Sequence, residues 1–200
     1  MASTINPSTV KRMNTFDEAR LVNLLGVVAT GVTDQVTAGC SEAAQLSGAA
    51  PEALIVMLDF SPEGSVHMLS QAVGLTHSGA VRLVDRLVDA GWASRRPGDD
   101  ARSVKISLTR RGRTVAERVR SRRREELASA LAGLTTVQRQ ELLHTCELLV
   151  ANLTRGRLAQ RAVGRQPAGG ALCRMCDFAA CGRPDGLCPA ASQAAASAAP

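Results

Sequence analysis

Four cysteines fall within sixteen residues near the C-terminus, as Cys173-x2-Cys176-x4-Cys181-x6-Cys188-Pro189. Thiolates so placed can converge on one tetrahedral ion. The spacing is not that of a standard zinc finger. The closing Cys-Pro is shared with bacterial iron–sulfur runs, but the internal spacings differ. Zinc therefore stands ahead of an iron–sulfur cluster as the expected occupant. A thiol switch is the competing chemistry, because Arg174 and Arg183 can lower thiol pKa values. Inert reduced thiols are the third reading. A thioredoxin-type enzyme is not expected, since no βαβ unit surrounds the pair.

A second constellation is basic. Arg82 and Arg86 are one helical turn apart, with Thr76, His77 and Ser78 just before them. Arginine can pair with guanine through two hydrogen bonds in the major groove of DNA. Ser78 and His77 can reach bases or phosphates. Asp85 is expected to orient an arginine, since a carboxylate facing phosphate is repelled. Ordinary solvated charges would look similar on any one of these residues. The surroundings favour the sharper reading. From Arg82 to Arg124 there are fourteen basic and five acidic residues, a net of +9, which leaves −3 for the rest of the chain. Positive charge concentrated in this way is an electrostatic footprint for phosphate. The three histidines, His67, His77 and His144, form no recognisable catalytic set, so no enzyme is expected.

The elements that must position these residues follow from periodicity and caps. Residues 1–15 are polar and expected to fray. Thr15 and Glu18 have capping-box spacing, which predicts a helix from Phe16. Leu21, Leu24, Leu25, Val28 and Val32 continue it to about Cys40 or beyond. Pro51 suits the first turn of a second helix reaching Phe60. A short helix, Val66 to Val73, a break at Gly74 and Leu75, and a helix from His77 to Ala90 capped by Thr76 make a helix-turn-helix. On the last of these, Ala80, Leu83, Val84 and Leu87 share the inner face. Trp92 to Arg96 and Val104 to Leu108 read as strands joined by the turn Pro97 to Ala101. That order is a winged helix. Thr109 caps an arginine-rich helix to about Leu131, expected to be solvated, with Arg110 and Arg111 nearest to DNA. Thr135 and Gln138 open a last helix to about Thr154.

Composition agrees. The 200 residues are 45% hydrophobic and 21% charged, enough for a real core. Aromatics are only 2%, with no Tyr, which argues against β-sandwiches and against proteins that stack single-stranded bases. No segment reads as long and apolar enough to span a bilayer, so no membrane partner is expected. The apolar run Leu21–Val32 is read as a helix rather than a signal peptide. Cys40 and Cys146 lie in apolar helical runs and are expected to be buried. With no cysteine framework stapling the whole chain, a reducing cytoplasm is the expected location.

The segments Leu69-Ser-Gln-Ala-Val-Gly-Leu-Thr-His-Ser78, Val81-Arg-Leu-Val-Asp-Arg-Leu87 and Gly91-Trp-Ala-Ser-Arg-Arg-Pro97 resemble winged-helix regulators of the MarR family. So does Asp100-Ala-Arg102 followed by Leu108-Thr-Arg-Arg-Gly112. The resemblance covers about residues 16–155 and is strongest over 65–113. It implies a dimer on pseudo-palindromic double-stranded DNA, usually a repressor, released by a small-molecule inducer or by oxidation. It implies that Arg102 is the wing-tip arginine in the minor groove and that Asp100 holds the wing by an ion pair. A narrow minor groove does attract an inserted arginine. Ser70 departs from the alanine the family more often has, and is small enough to pack.

The expectation is therefore a mainly α, winged helix-turn-helix protein without catalysis. Its DNA-binding lobe spans about 50–113, with dimerisation helices at about 16–46 and 110–155. Residues 156–172 are expected to be a linker, 173–189 the cysteine module, and 190–200 a disordered Ala/Ser tail. The DNA-contacting set is Thr76, His77, Ser78, Arg82, Arg86, Arg95, Arg96, Asp100, Arg102 and Arg110. The alternative function makes the cysteine module primary, as a metal or redox sensor. The stripes on the first and last helices need a partner: either each other or a second chain.

Overall fold

Helix α1 runs from Pro7 to Ala44. The computed structural model describes residues 7–98 and 104–198, and the side chains from residue 18 onward. The start at Pro7 replaces the expected start near Phe16. Thr15 therefore lies inside the helix, and its capping spacing marks no terminus. Helix α1 ends where Gln45 takes φ 54°, a left-handed residue that stops the helix without glycine. Within its stretch Glu18–Ala44 an 18-residue window has a mean hydropathy of 1.3, long and apolar enough to cross a membrane by length and composition, contrary to the expectation that no segment would be. Among its described side chains, those of the C-terminal part of α1 pack inside the chain, against α5, through Val36, Cys40 and Ala44. Leu21, Val22, Leu24, Leu25, Val27 and Val28 are exposed.

Helix α2 spans Ala50–Ile55 and opens into a wider turn over Val56–Phe60. The Ser61 amide donates to the Val56 carbonyl across this turn at 2.8 Å. Because Leu54, Ile55, Val56 and Met57 are all buried, this run is the centre of the core. Helix α3 (Val66–Val73) and helix α4 (His77–Asp89) follow. Strands β1 (Ala93–Pro97) and β2 (Val104–Leu108) pair antiparallel, Ala93 opposite Leu108 and Pro97 opposite Val104. Ser65 adds a bridge to Lys105, and the Ile106 amide donates to Gly64 O at 2.9 Å. The expected wing thus has two strands and a short third edge.

Helix α5 covers Arg110–Ala130 and packs on α1 and α2. Its arginines are not simply solvated. Arg120 is half-buried between Asp59, at 3.1 Å, and Glu117. Arg122 pairs with Glu126 at 2.9 Å and Arg124 with Asp177 at 3.1 Å. Helix α6 covers Thr136–Ala162. Its capping box is formed: the Gln138 amide donates to Thr135 Oγ1 and the Thr135 amide to Gln138 Oε1. It extends past the expected end near Thr154, because Arg, Leu, Ala and Gln are good helix formers and outweigh the single Gly156. The expected linker 156–172 is thus helical in its first part.

Helix α7 (Pro189–Ala198) replaces the disorder expected for this tail. Proline suits its first turn, alanine favours helix, and α7 packs along α6 with Ala190 buried. Cys40 is buried as expected, but Cys146 is exposed. The reason is that α6 buries no residue inside the chain: Leu142, Leu143, Leu149 and Leu153 all face outward. Helix α1 packs on α5 rather than on α6, so the two apolar stripes do not cover each other.

Candidate nucleic-acid interface

Two capped helices and a tight turn fix the position of α4. Ser65 Oγ accepts the Met68 amide at 3.2 Å and starts α3. Gly74 ends α3 at φ 71°, the left-handed conformation that suits glycine at this place. The Leu75 amide then donates back to Ser70 O at 3.0 Å. Ser70 itself is buried, with its hydroxyl donating to His67 O at 2.7 Å, so the departure at this position is accommodated. Thr76 Oγ1 accepts the Gly79 amide at 3.1 Å and caps α4 as its sequence position predicts.

Burial of α4 follows its 3.6-residue period. Ala80, Leu83, Val84 and Leu87 are buried in the core. Thr76, His77, Ser78, Arg82, Arg86 and Asp89 are exposed. Arg82 and Arg86 thus lie on the outer face of the helix, with the small polar residues at its N-terminal end. Asp85 lies at the flank, and its Oδ1 accepts from Arg95 Nη2 at 2.6 Å. The carboxylate therefore ties α4 to the first wing strand. The two serines Ser94 and Ser107, opposite each other on the wing, are 3.3 Å apart through their hydroxyls.

The start of α5 is locked to the same lobe. Thr109 Oγ1 donates to Gly91 O at 2.8 Å and accepts the Gly112 amide at 2.9 Å. The Thr109 amide donates to Trp92 O at 2.9 Å. A Cβ at Gly112 would overlap that Trp92 carbonyl, so α5 can approach the turn this closely only with glycine there. This contact sets Arg110 and Arg111, both exposed, at the first turn of α5 beside the wing. Arg95 and Arg96 are also exposed, on β1. The structure thus gathers Thr76, His77, Ser78, Arg82, Arg86, Arg95, Arg96 and Arg110 on α4, β1 and the start of α5. Asp100 and Arg102 lie outside the described residues.

The four clustered cysteines lie on a separate segment, between α6 and α7. Cys188 is buried, and Cys173, Cys176 and Cys181 are half-buried. Burial, a hydrogen bond with Cys181, and the neighbouring Cys181 and Cys173 push the Cys176 thiol up to about 12. Burial, with Cys188 and Cys181 nearby, raises the Cys173 thiol as well, against the pull of Arg183 and Arg157. Burial also raises Cys40 above its ordinary value. Among the described residues, no three Cys, His, Asp or Glu side chains already stand as a metal-holding group.

Sequence reasoning missed how this segment docks. The Ala171 amide donates to Ala72 O at 2.8 Å, next to the helix-turn-helix turn. Arg157 Nη1 donates to Gly170 O at 2.6 Å and its Nη2 to Ala168 O at 2.9 Å. Arg174 pairs with Glu52 at 3.0 Å. Phe178 meets Phe60 at 5.7 Å between ring centroids, with the Arg183 guanidinium 4.8 Å from the Phe178 ring. A cavity of about 270 Å³ lies between α1, α2, α5 and this segment, lined by Val36, Cys40, Pro51, Arg123, Leu172 and Met175. Only the doubled glycine at 169–170 hinted at a close backbone approach.

No family model and no curated protein matches the sequence. Solved structures do match. A MarR family protein from Bacillus stearothermophilus is 23% identical with a TM-score of 0.60, over 76% of this chain and 99% of that one. A MarR family protein from Mycobacterium tuberculosis is 29% identical with a TM-score of 0.53, over 66% of this chain and 95% of that one. Wild-type MarR from E. coli, in its apo form, is 18% identical with a TM-score of 0.54, over 64% and 96%. With its wing, its helix-turn-helix and its flanking long helices, the chain has the winged helix-turn-helix fold of the MarR family transcriptional regulators.

Proposed function

We propose that this chain is a homodimeric transcriptional repressor that binds a pseudo-palindromic duplex. Helix α4 enters the major groove, and the wing reaches the flanking minor groove with Arg102. A small molecule, or a redox or metal signal, releases the DNA. The observation that carries this reading is the two-sided α4. Its inner face is fully buried while His77, Ser78, Arg82 and Arg86 stand exposed on the other side. Arg95, Arg96, Arg110 and Arg111 flank it with exposed positive charge. A second chain supplies cover for the outward apolar residues of α1 and α6. It also sets the half-site spacing that a helix-turn-helix dimer needs. An inducer fits the cavity beside Val36 and Arg123, where it would press on the helices that carry the lobe.

The test is binding of selected operator duplex against random duplex, followed by fluorescence anisotropy over a range of salt. Arg82→Ala is expected to lower operator affinity by ~10- to ~100-fold and to relax specificity at one base pair. Arg110→Ala is expected to weaken both duplexes alike and to reduce the salt slope by about one. If both variants bind operator and random duplex as the wild type does, the interface is elsewhere.

A further inference from the structure

The segment 164–188 has no helix or strand and few large apolar side chains: Leu172, Met175, Phe178 and Leu187. A piece this small cannot build a core, and small units of this kind usually depend on a disulfide or a metal. It nevertheless folds into successive turns. The Cys176 amide donates to Cys173 O at 2.9 Å, Cys181 N to Asp177 O at 3.0 Å, and Leu187 N to Gly182 O at 2.9 Å. Gly182 and Gly186 take φ 69° and 74° inside these turns. The four cysteines lie on or next to these successive turns, without three of their thiols yet standing as a metal-holding group among the described residues. Cys176 interacts electrostatically with Cys181 and Cys173, and Cys173 with Cys181 and Cys188. Two of the thiols donate meanwhile to backbone carbonyls, Cys176 to Asp177 O at 3.7 Å and Cys181 to Phe178 O at 3.5 Å. Guanidinium groups surround the cluster, Arg157 and Arg183 near Cys173 and Arg123 near Cys176. A zinc ion with four thiolates carries a net charge of −2, which these cations are placed to offset.

We propose that Cys173, Cys176, Cys181 and Cys188 bind one zinc ion as a four-thiolate structural site, and that this ion fastens the segment to the DNA-binding lobe. Binding turns the Cys176 and Cys181 sulfurs from their carbonyl partners onto the ion. The fastening points are those already in place: Ala171 on Ala72, Arg174 on Glu52, Arg124 on Asp177 and Phe178 on Phe60. A Cβ at Gly170 would overlap Ala72 O and Gly74 N, so the segment lies directly on the turn that leads into α4. The ion supplies the folding free energy that the segment's own apolar area does not.

The experiment uses the full chain, purified anaerobically and reduced. Elemental analysis is expected to find one zinc per chain. Exchange with cobalt(II) is expected to give the visible bands and sulfur-to-cobalt charge transfer of a tetrahedral four-thiolate site. Cys176→Ser with Cys181→Ser abolishes both, while Cys146→Ser leaves both intact. Stripping zinc from the wild type is expected to increase protease cleavage within 164–188. The wild-type cobalt spectrum stands even where the double variant fails to fold. A reduced chain that holds no zinc and gives no cobalt spectrum overturns the proposal, as does recovery of iron with acid-labile sulfide. Unchanged cleavage after stripping overturns the fastening role. None of these readouts involves DNA, so failure here and failure of the DNA-binding reading are told apart.

Discussion

Asp85 of α4 and Arg95 of β1 are joined side chain to side chain, Oδ1 to Nη2 at 2.6 Å, which ties the helix to the first wing strand. Both side chains are well exposed, so the pair adds less than about 1 kcal/mol to stability. Its effect is on placement and charge. It spends one arginine of the basic face on an internal carboxylate and holds β1 against α4. Asp85→Asn frees Arg95 and removes a negative charge from the side proposed to face DNA. The expected outcome is a nearly unchanged melting temperature, tighter binding to random duplex at low salt, and a smaller ratio of operator to random affinity. Anisotropy with the two duplexes at two salt concentrations measures it, and an unchanged ratio would mean that the pair does not restrain the interface.

Gly112 sits on the second turn-closing contact of the lobe. Its amide is held by Thr109 Oγ1, and the space where a Cβ would go is filled by the Trp92 backbone. Trp92 cannot move aside cheaply, since it is buried and its own amide donates to Leu87 O at 2.8 Å. Gly112→Ala is expected to cost roughly 3 kcal/mol or more through this overlap. Gly133→Ala makes the contrast. Nothing lies near its Cβ position, so its cost comes only from the left-handed φ of 84°. Chemical denaturation of both variants ranks them, and equal losses would show that the Trp92 contact is not a constraint.

Local rules made most of the lobe legible. The caps at Thr76, Thr109 and Thr135 and the inner face Ala80, Leu83, Val84, Leu87 follow from side-chain chemistry within one or two turns. What was not legible is contact between elements. The Asp85–Arg95 pair was foreseen only as some arginine near Asp85, because strand position relative to a helix is a tertiary fact. Cys146 reads as buried from its apolar neighbours, yet it is exposed because its helix buries nothing within one chain. The docking of Ala171 on Ala72 is made by backbone amide and carbonyl groups, which every residue carries and no side chain announces. The Ala/Ser run read as disordered is a helix because α6 offers it a surface.

Arg120 is shared by two carboxylates, and the three groups are not equivalent. Burial raises the Asp59 carboxyl above its ordinary value, against the pull of Arg120. A folded-state pKa above the unfolded one favours the protonated acid in the fold. The resulting stability is fully present below the ordinary carboxylate pKa and is lost as pH rises through the raised folded value. Asp59→Asn removes that dependence, so the wild type should gain on this variant as pH is lowered from about 7 to about 4. Arg120→Met should be the costlier change at neutral pH, by about 1 to 3 kcal/mol, because it leaves Asp59 half-buried without its partner. Denaturation midpoints of the three chains across this range check both signs. A difference between wild type and Asp59→Asn that does not change with pH would contradict the raised value.

Leu25 and Val28 are 49% and 58% exposed on α1, in the part of that helix that leaves the body of the chain. On α6, Leu149 and Leu153 are exposed in the same way. Apolar residues in such number on two helices are costly to hydrate, at about 25 cal/mol per Å². Neither helix covers the other within one chain, and the dimer proposed above would cover both with a second copy. Leu25→Glu with Val28→Glu is expected to keep the helical circular dichroism of the lobe while converting the dimer to monomer. Analytical ultracentrifugation reads the mass directly. Because each half-site then binds alone, operator affinity should fall at least ~100-fold, while affinity for random duplex changes far less. A double variant that sediments as a dimer and keeps operator affinity would place the dimer contact on another surface.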